Sequence, residues 1–185
     1  MNLDNDTELP IHNLSDRHPG VTQAIGESYT EAARACLDRH HESPIYFRIL
    51  NNTVKQDAVV KWQSCDSRTL SALANETDTT ENGAYACALA SVELTRNMVA
   101  IHRAEIKTGA DYYIAPIGSE IDDLENCIRL EISGVDTGHE AIILQRLNIK
   151  VKQAASGNSN LPAVAAVIGF KDKSIHIRDV TNELV

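Results

Sequence analysis

The sequence predicts an α/β (α+β) fold: a single domain with a central mixed β-sheet flanked by helices. Three observations carry this. Residues 98–135 place apolar residues at alternate positions between glycine-containing turns, which gives three short strands. LPAVAAVIGF (161–170) is an unbroken apolar run of strand length, as expected of a central strand covered on both faces. Three further segments repeat their apolar residues at helical spacing. The predicted order is α-β-β-(linker)-α-β-β-β-α-β-β. With 185 residues and 43% hydrophobic content, the chain can bury one real core. Aromatics are only 4%, so aliphatic and alanine packing must dominate.

Taken in order, residues 1–18 lack any period and read as a loosely docked or disordered tail, with His12 and His18 solvated. Gly20 to His40 reads as a helix through Val21, Ile25, Tyr29, Ala32, Ala33 and Cys36. The adjacent His40 and His41 diverge at its end, where the helix dipole favours histidine, and are not expected to form a metal pair. Ser43-Pro44 stops the helix. IYFRILNN and DAVVKWQSC read as a hairpin that Trp62 anchors; base stacking is the alternative role for this indole. Ser67 to Ala74 reads as a short helix, and NETDTTENG as a polar linker. That linker divides an N-terminal helix-plus-hairpin unit (19–82) from the remaining core (83–185).

From Gly83 to Asn97 a second helix is nearly all small residues on one side, so that it can lie close to a sheet. After the three strands, Thr137 is an expected N-cap with Glu140 three residues on, opening a third helix to Ala155. SIHIRDV closes the chain as an edge strand open to dimerisation. No internal repeat, Walker loop, GxGxxG or nucleophile elbow is present.

The cysteines, Cys36, Cys65, Cys87 and Cys127, have no zinc-type spacing and read as reduced, buried small residues of a cytoplasmic protein. MNLDNDTELP has neither the basic nor the apolar region of a secretory signal. No apolar run approaches the roughly 20 residues that span a bilayer, so no membrane partner is expected. A net charge of −9 argues against a free-standing nucleic-acid binder and makes a protein partner or homodimer plausible. It remains compatible with an active site built from carboxylates, which is acidic until metal binds.

Two carboxylates stand out. Asp111 opens the second of the three strands, and Glu131 lies inside the third between Leu130 and Ile132. Strand alternation puts Arg129, Glu131 and Ser133 on one face. If that face is covered, Glu131 needs a partner: a metal ion shared with Asp111, an arginine, or a cluster of backbone N–H groups.

An Asp opening one strand and a Glu inside the next, within helix-strand-strand-strand-helix-strand, resembles the restriction-endonuclease-like superfamily of PD-(D/E)xK nucleases. The resemblance covers residues 83–170, and TGADYYIAP followed by RLEISG is similar to an uncharacterised bacterial branch. It implies divalent-metal-dependent hydrolysis of DNA or RNA phosphodiesters, in a prokaryotic defence setting. Asp111 and Glu131 would hold magnesium or manganese, and Glu93 on the preceding helix would add a further acid. Asp122 and Asp123 with Glu125 form a loop of solvated acids, of which Asp123 could approach a second ion. The departure is Ser133, where the family carries lysine. A displaced lysine could come from Lys107, Lys150 or Lys152, with Gln153 contacting substrate. Without one, the resemblance implies an inactive nuclease-like fold that binds or inhibits a protein partner, or an acidic mimic of nucleic acid.

Overall fold

A computed structural model describes residues 6–121, 124 and 126–180. Seven strands form one mixed sheet in the order β2-β1-β7-β6-β5-β4-β3. The strands are β1 (Ile45–Asn51), β2 (Val54–Val60), β3 (Met98–Arg103), β4 (Tyr112–Pro116), β5 (Ile128–Val135), β6 (Ala163–Gly169) and β7 (Ser174–Val180). Helices α1 (Gln23–Asp38) and α3 (Glu76–Arg96) cover one face, α4 (Glu140–Ala155) covers the other, and α2 (Ser67–Ala72) is a short connector. The predicted class and element order are those observed.

The pairing follows from burial. Every residue of β6 is buried, because it lies between β5, parallel to it, and β7, antiparallel to it, with helices on both faces. The alternation in β5 sends Leu130 and Ile132 to the core under α1 and α3. It leaves Arg129, Glu131 and Ser133 on the side of α4.

Four expectations need correction. The closing strand β7 is no edge: β1 pairs with it in parallel, Arg48–Asn51 against Ser174–Ile177, so the N-terminal hairpin extends the same sheet. The edges are β2 and β3, and β2 is itself partly capped by a bridge between Glu8 and Val59. The polar linker is the first two turns of α3. Asn75 caps it by accepting from the Asp78 N–H at 3.4 Å, and Glu76 and Asp78 suit the positive end of the helix. Gly83 is therefore interior, where a Cβ would come within 3.0 Å of the Ala33 backbone, so it sets the closeness of α1 and α3. The capping box at Thr137 does not form, since α4 starts at Glu140 with His139 as an N-cap that makes no side-chain bond.

The fourth correction concerns the N-terminal segment, of which residues 1–5 lie outside the described residues. Leu9, Ile11 and Leu14 are buried in the main core, and a 3-10 turn spans Leu14–Asp16. His12 Nε2 lies 2.8 Å from the Lys61 carbonyl. His18 is fully buried, and its Nδ1 accepts the Ala100 N–H at 3.0 Å, which places its proton on Nε2, 3.2 Å from Glu93 Oε2. The anchor of this segment is Arg17, whose Nε bridges both Glu93 oxygens at 2.8 and 2.9 Å and whose Nη1 and Nη2 donate to three carbonyls. The expectations for Trp62 and the histidine pair hold better. Trp62 Nε1 donates to Asp38 Oδ1 at 2.6 Å, tying the hairpin's exit to α1. His40 and His41 turn to separate acceptors, Asp136 and the Phe170 carbonyl.

Burial lowers the pKa of His18 from 6.5 to about 4, against the pull of Glu93. The unfolded chain therefore takes up a proton that the folded chain refuses between those values, and stability falls as pH drops from about 6.5 towards about 4. The predicted loss attributable to this residue is about 3 kcal/mol. His18→Asn, which keeps an acceptor for Ala100, should lack that portion of the pH dependence when both proteins are unfolded in urea across this range. Equal pH dependence in the two would contradict the assignment.

Candidate active site

The antiparallel register of β4 and β5 pairs Tyr112 with Leu130, so Asp111, one residue earlier, stands opposite Glu131. Directly opposite residues point to the same face with Cβ atoms about 5 Å apart. The Asp111 N–H bonds to the Leu130 carbonyl at 2.8 Å, which fixes that register at the strand's end. Asp111 then turns its carboxylate across the gap: Oδ2 accepts the Ile132 N–H at 2.7 Å. Oδ1 accepts the Tyr85 hydroxyl at 2.9 Å. One carboxylate thus occupies the place of a ladder carbonyl and is aimed by both strand and helix.

Glu131 is 2% exposed. Its Oε1 accepts from Lys150 Nζ at 2.6 Å, and that ammonium also reaches Gln153 Oε1 at 3.3 Å. Burial pushes the Glu131 carboxyl above the ordinary carboxylate range, the negative charge of Asp111 adds to this, and Lys150 opposes it. The two acids face one another, with the Lys150 ammonium on Glu131 and the Arg103 guanidinium 3.5 Å from Asp111.

Asp111, Glu131, Lys150 and Gln153 line one cleft of about 580 Å³. Lys107 lines it too, held at φ 77° in the turn after β3, where its carbonyl accepts the Asn158 N–H. Gly109 (φ 66°) and Gly157 make this turn dock on the end of α4: a Cβ on Gly157 would lie 2.0 Å from the Thr108 carbonyl oxygen. Buried Arg129 clamps the junction, donating to the carbonyls of Thr108, Ala154 and Leu161. It holds the loop and helix that carry Lys107 and Lys150, and does not pair with Glu131.

Three of the anticipated site residues lie elsewhere. Glu93 is eight residues beyond Tyr85 on α3, about 12 Å along the axis, and is consumed by Arg17 and His18. Lys152 sits about 200° around α4 from Lys150 and is exposed outside the cleft. Ser133, two residues past Glu131, lines an adjoining cleft of about 500 Å³ with Thr80, Arg146 and, from its other side, Lys150. The loop acids Asp122, Asp123 and Glu125 lie outside the described residues.

Glu81 and Tyr85, not anticipated from the sequence, complete the site with Arg103, one of the two arginines, with Arg129, expected as an alternative partner of Glu131. Glu81 lines both clefts, and its Oε1 lies 3.4 Å from the Tyr85 hydroxyl. Tyr85 bridges Asp111 and Arg103, accepting from Arg103 Nη2 at 3.0 Å. Glu81 and Tyr85 are four apart, the spacing that puts two side chains on one helix face. The signal was present in the sequence, but reading a linker up to residue 82 left Glu81 off the helix. Among the described residues no three His, Cys, Asp or Glu side chains converge as a metal-binding group. A cation here would have Asp111 and Glu131 as protein ligands and keep several waters, a donor set of hard oxygens that suits magnesium or manganese.

The raised Glu131 carboxyl adds stability below its unfolded value, and that contribution is lost as pH rises through the folded one. The stability of wild type relative to Glu131→Gln should therefore fall as pH rises above the ordinary carboxylate range, read by urea unfolding. Lys150→Met, which removes the opposing charge, should move that fall to higher pH. An unchanged profile in Lys150→Met would show that the ammonium does not govern Glu131.

Comparison with known proteins finds no matching family model, no matching curated protein and no matching solved structure.

Proposed function

We propose that this chain is a divalent-metal-dependent phosphodiesterase acting on DNA or RNA. Asp111 and Glu131 hold magnesium or manganese, and Lys150 takes the part left open by Ser133. The observation that carries this reading is the 2.6 Å contact of Lys150 Nζ with Glu131 Oε1, beside the carboxylate that faces Glu131 across the register. A lysine delivered from α4 puts the missing cation back at the acid, from a different element.

The chain's own groups divide the work. Asp111 is oriented through one lone pair on each oxygen, by Ile132 N–H and Tyr85, which leaves a second lone pair on each free to ligate. Glu131 lines the cleft, and its Oε2 accepts no hydrogen bond from the described residues. Lys150 favours the ionised form of Glu131 and offers its one remaining N–H donor to a phosphate oxygen or an attacking water. Gln153 steadies the ammonium. When bound, the metal supplies Lewis-acid charge and a water of lowered pKa. Placing a phosphodiester over Asp111 and Glu131 would cost heavily without such a cation, since acid and phosphate share one sign.

A second reading, an inactive nuclease-like subunit that binds a protein partner, is favoured by the net charge of −9. The two separate in one set of assays. Purified protein with manganese should cleave labelled DNA or RNA, and Asp111→Asn and Glu131→Gln should each slow cleavage at least about 100-fold. Lys150→Met should lose a similar factor in rate while its manganese affinity changes less than about tenfold. Lys152→Ala should behave as wild type. Absence of cleavage and of manganese binding in the wild type would remove the hydrolase reading and leave the binding subunit.

A further inference from the structure

Arg103 is held in an unusual way. The rings of Tyr85 and Tyr112 meet edge to face at 75°, and the guanidinium sits in their corner, its Cζ 4.6 and 4.7 Å from the two centroids. Tyr29 packs on Tyr85 at 4.9 Å and joins the Tyr112 hydroxyl at 3.0 Å, so α1, α3, β3 and β4 all brace the corner. Arg103 lines the cleft with Asp111, Glu131 and Lys150, and its side chain is 47% exposed there.

Neutralising Asp111 does not account for this arrangement. The chain's other arginine–carboxylate pairs among the described residues are closer: 2.8 Å for Arg17–Glu93, 2.7 Å for Arg96–Asp179 and 3.2 Å for Arg39–Asp136. Arg103 stays 3.5 Å from Asp111, with the Tyr85 hydroxyl bonded to both. Aromatic rings attract the face of a guanidinium and leave its N–H edge for hydrogen bonding. Only Nη2 donates to protein among the described residues. The remaining donors form a planar fork in a cleft shared with Asp111, Glu131, Lys107 and Lys150, which matches an oxyanion able to receive two parallel N–H bonds.

We infer that Arg103 grips a phosphate of the nucleic-acid strand in the cleft, as an anchor distinct from Lys150. The inference rests on reading the cleft as a nucleic-acid site, and it adds the residue that offsets like-charge repulsion between the strand and Asp111. The contact is to the backbone and so carries no base preference.

The test uses a labelled DNA duplex and its separate single strand, with calcium replacing magnesium so that binding is read without cleavage. Arg103→Met keeps an apolar stem against the tyrosines. It should bind the preferred probe roughly tenfold more weakly at every sequence, and the slope of log affinity against log salt should fall by about one. Arg103→Lys should restore the slope but only part of the affinity, because a point charge lacks the fork. Manganese binding, measured by calorimetry, should be unchanged or tighter in Arg103→Met, since a positive charge beside Asp111 is gone. Wild-type affinity and slope in both variants would overturn the proposal, as would a wild-type protein that binds neither probe. A lowered slope in Arg103→Met together with no manganese binding by wild type would support the phosphate contact and sink the metal-dependent hydrolase instead.

Discussion

The arrangement depends on one buried carboxylate. Glu131 lies in the middle of β5, almost wholly out of water, in a sheet whose neighbouring strand is apolar throughout. Such a group is expensive to ionise unless a cation is fixed within reach. Lys150 meets that need from α4, but α4 must then stop at a set height against the sheet. The Gly157–Thr108 contact and the Arg129 clamp set this height: both join the C-terminal end of α4 to the turn between β3 and β4. The acid, the lysine, the turn and the helix end form a single mechanical unit.

The second acid is held by a different set of elements. Asp111 is aimed by a β5 backbone N–H and by Tyr85 from α3, while α3 is pressed against α1 at Gly83. Helix α3 therefore has two jobs along its length. Its first half presents Glu81 to the cleft and the Tyr85 hydroxyl to Asp111. Its second half spends Glu93 on Arg17 and His18, which fastens the N-terminal segment under the sheet edge. A chain with net charge −9 thus keeps some of its acids in structural pairs and gathers others, with Lys150, Lys107 and Arg103 among them, at one cleft.

Much of this was legible in the sequence because period and burial speak directly. The alternation around Leu130 and Ile132 placed Glu131 on the second face of a strand, and the unbroken 161–170 run marked the central strand. What was hidden shares one physical cause: long-range pairing leaves little local trace. Nothing in SIHIRDV announces that a hairpin more than a hundred residues earlier will lie beside it in parallel. Asn75 with Glu76 and Asp78 serves equally as a turn or as a helix cap, and only the packing of α1 at Gly83 decides. His18 and Glu93 look like isolated polar residues until the fold brings them 3.2 Å apart. Among the lysines on α4, helical geometry alone separates Lys150 from Lys152 once the inward face is known. That face is set by Ile143, Leu147 and Ala154.

The central claim is that Asp111 and Glu131 act as one cation site. Carboxyl-carbon NMR of the wild-type protein titrated with magnesium addresses it without reference to any substrate. The account predicts that the Asp111 and Glu131 resonances move together along one saturating curve, and that the apparent pKa of Glu131 falls as the ion enters. Movement of only one of the two, or of neither at saturating magnesium, would contradict it.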